Sequence, residues 1–246
     1  MKKRVYIVGE HHNVLREWCR HQEQGMHLLS FDQHIDFRPA FSSGKGGDPV
    51  KCLARHIPCD DVDAAILDLE KDEHIDFAIK SGMLTKAFVF SRDKYHGVGN
   101  VKTVPSGVGK ETDVQLGDSD AAVVHYPEVL HPFAVKRGES QMLKSATSDG
   151  VLDEVCETFR KCGFDQDNYI FDFDCDFIRN EAAMVHGHFE ILKKIIRGAK
   201  VITIAREPDC CDPNVPFEKV ERWLKGFVQN CGDEVEITYD PFAGSH

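Results

Sequence analysis

Residues 30–37, SFDQHIDF, decide how the rest of the chain is read. They close a short apolar run at residues 26–31 and then set Asp32, His34 and Asp36 at every second position. An extended chain points alternate side chains to one face, so two carboxylates and an imidazole converge on one side. Neighbours in the set stand about 6.6 Å apart on a strand, and closer where the chain curls. A lone D-x-H is commonly a solvated strand end. Here a second copy stands far away, because residues 169–177, YIFDFDCDF, are another apolar run that opens into Asp172, Asp174 and Asp176. Two acidic combs at the ends of two predicted strands are material for a divalent-metal site rather than for a core.

Outward from these combs the chain alternates strand and helix. Lys3–Val8 reads as a strand with Gly9, Glu10, His11 and His12 at its C-terminal mouth, and residues 13–24 as a helix. Residues 41–49 are a glycine-containing loop, residues 61–81 helical with a break near Asp72, and residues 86–91 a strand. Glycine-spaced residues 92–117 read as loops, residues 121–126 as a strand and residues 151–162 as a helix. A helix over 182–197 precedes the core strand 200–205, which runs into Arg206 and Glu207. Phe217, Val220, Leu224 and Phe227 form a helical stripe, and residues 234–239 a last strand. This alternation predicts one α/β domain over residues 1–246, a three-layer α/β/α fold with a mostly parallel central sheet. Ligands of such folds bind beyond the carboxyl ends of the strands, where His11, both combs and Glu207 fall.

Composition narrows the function. With 41% hydrophobic and 29% charged residues the chain can build an ordinary soluble core. A formal net charge of −11 argues against nucleic-acid and anionic-membrane partners and is compatible with a cationic substrate. The basic start MKKR leads into only a short apolar run with no cleavage site, and no stretch is long enough for a membrane span. Nine cysteines, an odd number without a C-x-x-C pair, suit a reducing cytoplasm better than a disulfide framework or a zinc knuckle. The sequence is compatible with a homo-oligomer.

Four motifs together resemble the ureohydrolases, the arginase and agmatinase group of the arginase/deacetylase-like fold: VGEHH at His11, DQHID at Asp32, His34 and Asp36, FDFDCD at Asp172 and Asp174, and IAREP at Glu207. The resemblance implies two Mn²⁺ ions, one held by His11, Asp32, Asp36 and Asp172, the other by Asp32, His34, Asp172 and Asp174, with Asp32 and Asp172 bridging. It implies that Glu207 pairs with a substrate guanidinium. The chain departs from the family's pattern at Glu10, which replaces an aspartate, and at Gln33, which replaces a small residue. His12, beside His11, is the alternative ligand. FRPAFSSGKGG contains no recognisable clamp for a free amino acid. These departures, with NVLREW and Asp176, look like the compact branch that includes peptide arginases. That branch implies conversion of arginine to ornithine and urea within a ribosomally made precursor peptide. A proton-carrying histidine is expected at His56, with His96, His125 and His131 as alternatives. Asp176 is expected to orient a ligand, and His186 and His188 to be structural. Competing readings are a free-arginine or agmatine ureohydrolase, a deacetylase-like amide hydrolase, and a non-catalytic peptide-binding scaffold.

Overall fold

The computed structural model describes residues 2–21, 25–41, 59–91, 101–103, 123–127, 147–185, 188–231 and 234–240. His56, His96, His131 and His186 lie outside these, as do most of the glycine-spaced residues expected to be loops. Among the described residues, eight strands make one sheet: β1 (Lys3–Val8), β2 (Met26–Asp32), β3 (Leu84–Ser91), β4 (Val101–Thr103), β5 (Val123–Pro127), β6 (Tyr169–Asp174), β7 (Val201–Ala205) and β8 (Val235–Tyr239). Their spatial order is β4-β5-β3-β2-β6-β7-β1-β8, and every neighbouring pair is parallel. All the strand ends therefore open on the same rim. The two combs end β2 and β6, which are direct neighbours.

Side chains alternate faithfully across this sheet. Val5, Ile7, Leu29, Phe31, Phe88, Phe90, Phe171, Phe173, Ile202 and Ile204 enter one core layer. It is covered by α4 (Asp149–Lys161), α5 (Ala182–Val185), α6 (Glu190–Gly198) and α7 (Phe217–Gln229), once α1 (Leu15–Cys19), α2 (Cys59–Asp68) and α3 (His74–Lys80) are counted on the opposite face. Phe31 sits at the middle of the first layer, with ring centroids of Phe90 and Phe171 both at 5.2 Å and Phe177 at 5.5 Å. The second layer takes Tyr6, Val8, Met26, Leu28, Ala87, Val89 and Ile170. Strands buried on both faces explain why they read as unbroken apolar runs.

The helical segments differ from expectation in two places. The helix expected over 13–24 opens as a 3-10 turn, His11–Val14, before α1, and the tighter winding turns His11 inward, where it is buried. The helix expected over 182–197 is two helices, with Phe189 between them in a left-handed conformation (φ 54°) that an α-helix cannot continue through. The expected break near Asp72 is a 3-10 turn, Lys71–Glu73, entered through a reciprocal capping box between Glu70 and Glu73. β4 was not expected: three residues among glycine-spaced polar sequence are too few to show a period of two. Among the described residues, no helix is long and apolar enough to cross a membrane.

Candidate metal centre

Cross-strand register builds the centre in two rows on the face toward α1 to α3. Ser30 of β2 lies opposite Asp172 of β6, which lies opposite Thr203 of β7. Two residues further along each strand come Asp32, Asp174 and Ala205. Beyond the strand ends, residues 33–36 curl, and Asp36 takes a left-handed backbone (φ 47°) that turns its carboxylate back over the sheet. Such a conformation is unusual for a side chain that is not glycine and is held only by surrounding structure.

His11 enters this group from the end of β1. Its Nδ1 is 3.2 Å from Asp32 Oδ2, 3.0 Å from Asp36 Oδ2 and 3.1 Å from Asp174 Oδ2. Its Nε2 is 2.8 Å from Asp172 Oδ2, on the opposite side of the ring. Asp32 spans to a second imidazole: its Oδ1 accepts from the His34 backbone N–H at 2.8 Å and lies 3.7 Å from His34 Nδ1. His34 Nδ1 is also 3.3 Å from Asp176 Oδ2. Asp176 Oδ1 accepts from the Gln33 N–H, and Asp174 Oδ1 from the Asp176 N–H. His11, Asp32, Asp172, Asp174 and Asp176 are almost wholly buried, whereas His34 is half-exposed at the mouth.

The electrostatics follow from this crowding of carboxylates. Burial, then the mutual repulsion of these carboxylates, pushes Asp32 and Asp174 well above the usual carboxylate range, and burial raises Asp36. Burial would lower the His11 imidazole, but Asp172 and the close carboxylates of Asp174 and Asp32 outweigh it and lift His11 well above its ordinary value. His34 is lifted to about 10, chiefly by its contact with Asp176. His11 Nδ1, Asp32 Oδ2 and Asp176 Oδ2 are buried atoms with no well-formed hydrogen bond among the described residues. A buried group of this kind is neutralised either by protons or by a cation. The residues fit one: ligand atoms about 2.1 Å from a six-coordinate ion stand about 3 Å apart, which is the spacing around His11 Nδ1. The sets His11–Asp32–Asp174, Asp32–His34–Asp36 and His11–Asp36–His74 each present ligand atoms within 4.8 Å of one another.

Glu207 stands on the same rim. After β7 the Arg206 and Glu207 N–H groups donate to Val8 and Gly9 carbonyls, extending the pairing to β1. Glu207 itself is left-handed (φ 40°), and its Oε1 accepts from the His11 backbone N–H at 2.6 Å. Its Oε2 lies 3.2 Å from Lys71 Nζ, which also pairs with Glu10, and accepts from Cys210 Sγ at 3.3 Å. Burial pushes Glu207 upward, but the His11 N–H and the charges of His11 and Lys71 hold it below its ordinary value, so it is ionised.

Of the residues singled out in the sequence, the structure brings His11, Asp32, His34, Asp36, Asp172, Asp174 and Glu207 to one rim. His11 is the imidazole that enters the carboxylates. His12 lies beside Glu10 and Glu207. Asp172 meets the far nitrogen of His11, while Asp176 reaches His34. His125, in β5, is buried against Ser91 Oγ (2.8 Å from Nε2), and burial pulls it down to about 4. His188 is exposed. Sequence reasoning missed His74 and Lys71, which lie in a helical stretch and carry no motif. The His74 ring is 4.4 Å from that of His11, and its Nδ1 donates to the Lys71 carbonyl.

No family model matches this chain, and no curated protein matches it. Among solved structures it is similar to the crystal structure of the agmatine ureohydrolase of Thermoplasma volcanium, with a TM-score of 0.44 and 13% identity. The likeness covers 91% of this chain and 60% of that one. What the fold and the rim define is an all-parallel three-layer α/β protein with a buried carboxylate–imidazole centre at its strand ends.

Proposed function

We propose that this chain hydrolyses the guanidino group of arginine side chains presented in a peptide, with two manganese ions, giving ornithine and urea. The observation that supports it best is one rim carrying both a carboxylate set spaced to hold cations and a separate, ionised Glu207. His11, Asp32, Asp36 and Asp174 would hold one ion, and His34, Asp176 and the other oxygen of Asp32 the second. Oxygen-rich ligation with one imidazole per ion suits manganese. When bound, such a pair supplies a water activated at neutral pH and positive charge for a developing anion.

The chain's own residues do the rest. Glu207, fixed through Oε1 by the His11 N–H, offers Oε2 to the guanidinium, whose forked donors match a carboxylate. Trp18 and His74, both fully buried, wall the centre from water on the helix side. His56 is the proposed carrier of a proton to the leaving amine. The peptide form of the substrate draws support from the loop after Asp36. Its Arg38, Ala40 and Phe41 N–H groups donate to the Asp72 carbonyl, Asp76 Oδ2 and Glu73 Oε2, so they are not offered to a free amino acid.

The test measures urea from the Mn²⁺-loaded protein with an arginine-containing peptide, free arginine and agmatine side by side. The peptide should be the best substrate, losing the elements of CH₂N₂ at each modified arginine. Faster turnover of arginine or agmatine removes the peptide and keeps the chemistry. Cleavage of an acyl-lysine peptide without any urea replaces the proposal with an amide hydrolase.

A further inference from the structure

Asp172 is fully buried one row beneath the oxygens that face His11 Nδ1. Its two oxygens accept from three elements. Oδ2 takes Ser30 Oγ at 2.9 Å and His11 Nε2 at 2.8 Å, and Oδ1 takes Thr203 Oγ1 at 2.5 Å. Thr203 Oγ1 in turn accepts from Trp18 Nε1 at 3.4 Å. The donors are there because Ser30, Asp172 and Thr203 share one register row on adjacent parallel strands, where neighbouring side chains on one face meet.

We infer that Asp172 is a positioning residue: it holds the proton on His11 Nε2 and so presents the Nδ1 lone pair to the metal. Asp172 is set up as an acceptor, with Ser30 Oγ donating to Oδ2 and Thr203 Oγ1 to Oδ1, an arrangement that favours the carboxylate form. An ionised carboxylate can only accept, so the proton in its contact with His11 belongs to the imidazole. Fixing one nitrogen in this way frees the other as a ligand, and such partners orient the ring as well as choosing its tautomer. A bridging role would need an oxygen turned to the ions, and both oxygens of Asp172 are engaged by hydroxyls and by the far side of the ring. The inference rests on the metal-centre part of the proposed function and is independent of the guanidine chemistry.

The test is calorimetric titration of Mn²⁺ into wild type, Asp172→Asn, His11→Ala and the double variant, none of it requiring turnover. Asp172→Asn should weaken one ion by about 10- to 100-fold and leave the other within about threefold. His11→Ala should weaken the same ion, with the two changes less than additive. In the Zn²⁺-loaded, ¹⁵N-histidine-labelled protein, the His11 Nε2–H resonance should be present in wild type and shifted or lost in Asp172→Asn. Simultaneous loss of both ions in Asp172→Asn would mean a bridging ligand and overturn the inference. Unchanged affinities with a lowered melting temperature would make Asp172 merely structural and equally overturn it. Should Asp172→Asn not fold, Thr203→Val removes one donor without changing charge. It should weaken that same ion severalfold, and an equal effect on both ions, or none, counts against the role.

Discussion

Lys71 places an ammonium 3.2 Å from the Glu207 oxygen proposed to receive substrate, and shares itself with Glu10. A half-exposed lysine is a hydrated point charge that a planar fork can displace. Lys71→Met should therefore lower KM for a guanidinium substrate severalfold with little change in kcat, because an exposed ion pair contributes at most about 1 kcal/mol. Steady-state urea kinetics would show it, and a raised KM would mean that Lys71 binds substrate instead. Glu207→Gln should bind two Mn²⁺ like wild type and lose about 10²- to 10³-fold in kcat. Metal loss in that variant would make Glu207 a ligand. At this scale the sequence was only partly legible. His11 and His12 are adjacent and alike, and the winding of a 3-10 turn decides which enters the centre. The second comb has three teeth at equal spacing. Only the pairing of Ser30 with Asp172 shows that Asp174 is the tooth level with Asp32.

The segment from Glu70 to Asp76 fastens the rim. Glu73 is fully buried, and its Oε2 accepts from the Glu70 N–H at 3.1 Å and the Phe41 N–H at 3.0 Å. One carboxylate thus closes the capping box and ties down the loop that bends Asp36 backwards. Glu73→Ala should cost about 1–3 kcal/mol in a urea melt, since two buried or half-buried N–H groups lose their acceptor. It should also weaken the ion beside Asp36, so Mn²⁺ titration separates this effect from a loss of stability alone. In the opposite layer, a Cβ on Gly198 would lie 2.7 Å from Tyr169 Oη, whose hydroxyl is held by the Ile195 carbonyl at 2.6 Å. Gly198→Ala should then destabilise by about 1–3 kcal/mol, read from the denaturation midpoint. Six of the eight described strands were legible as apolar runs because both of their faces are packed, whereas β8, expected as well, is a partly exposed strand at the sheet edge. The missed strand is too short to carry a pattern, and the split at Phe189 depends on a backbone angle that no side-chain periodicity reports.

Across the whole molecule, pH acts through buried groups far apart. His125 has an ordinary value of 6.5 and is drawn down to about 4 by burial. Between these values the unfolded chain binds the extra proton, so the contribution of His125 is complete above about pH 6.5 and is lost as pH falls toward 4. The loss amounts to at most roughly 3 kcal/mol. His125→Gln should flatten the fall in stability between about pH 7 and about pH 4.5 relative to wild type, measured by urea midpoints at each pH. An unchanged slope would mean that His125 titrates alike in the folded and the unfolded chain. The sheet order has a further consequence, for biosynthesis. β1, which delivers His11, is held between β7 and β8, and the bond from the His11 N–H to Glu207 closes a separation of 196 residues. A nascent chain that has displayed both acidic combs still has no partner strand for β1 on either side. Contacts this distant in sequence form late. Metal capture should therefore report completed translation of residues 201–239: a chain arrested at residue 198 should bind Mn²⁺ weakly and without the two-site stoichiometry, leaving the growing polypeptide unable to sequester the ion before it can use it.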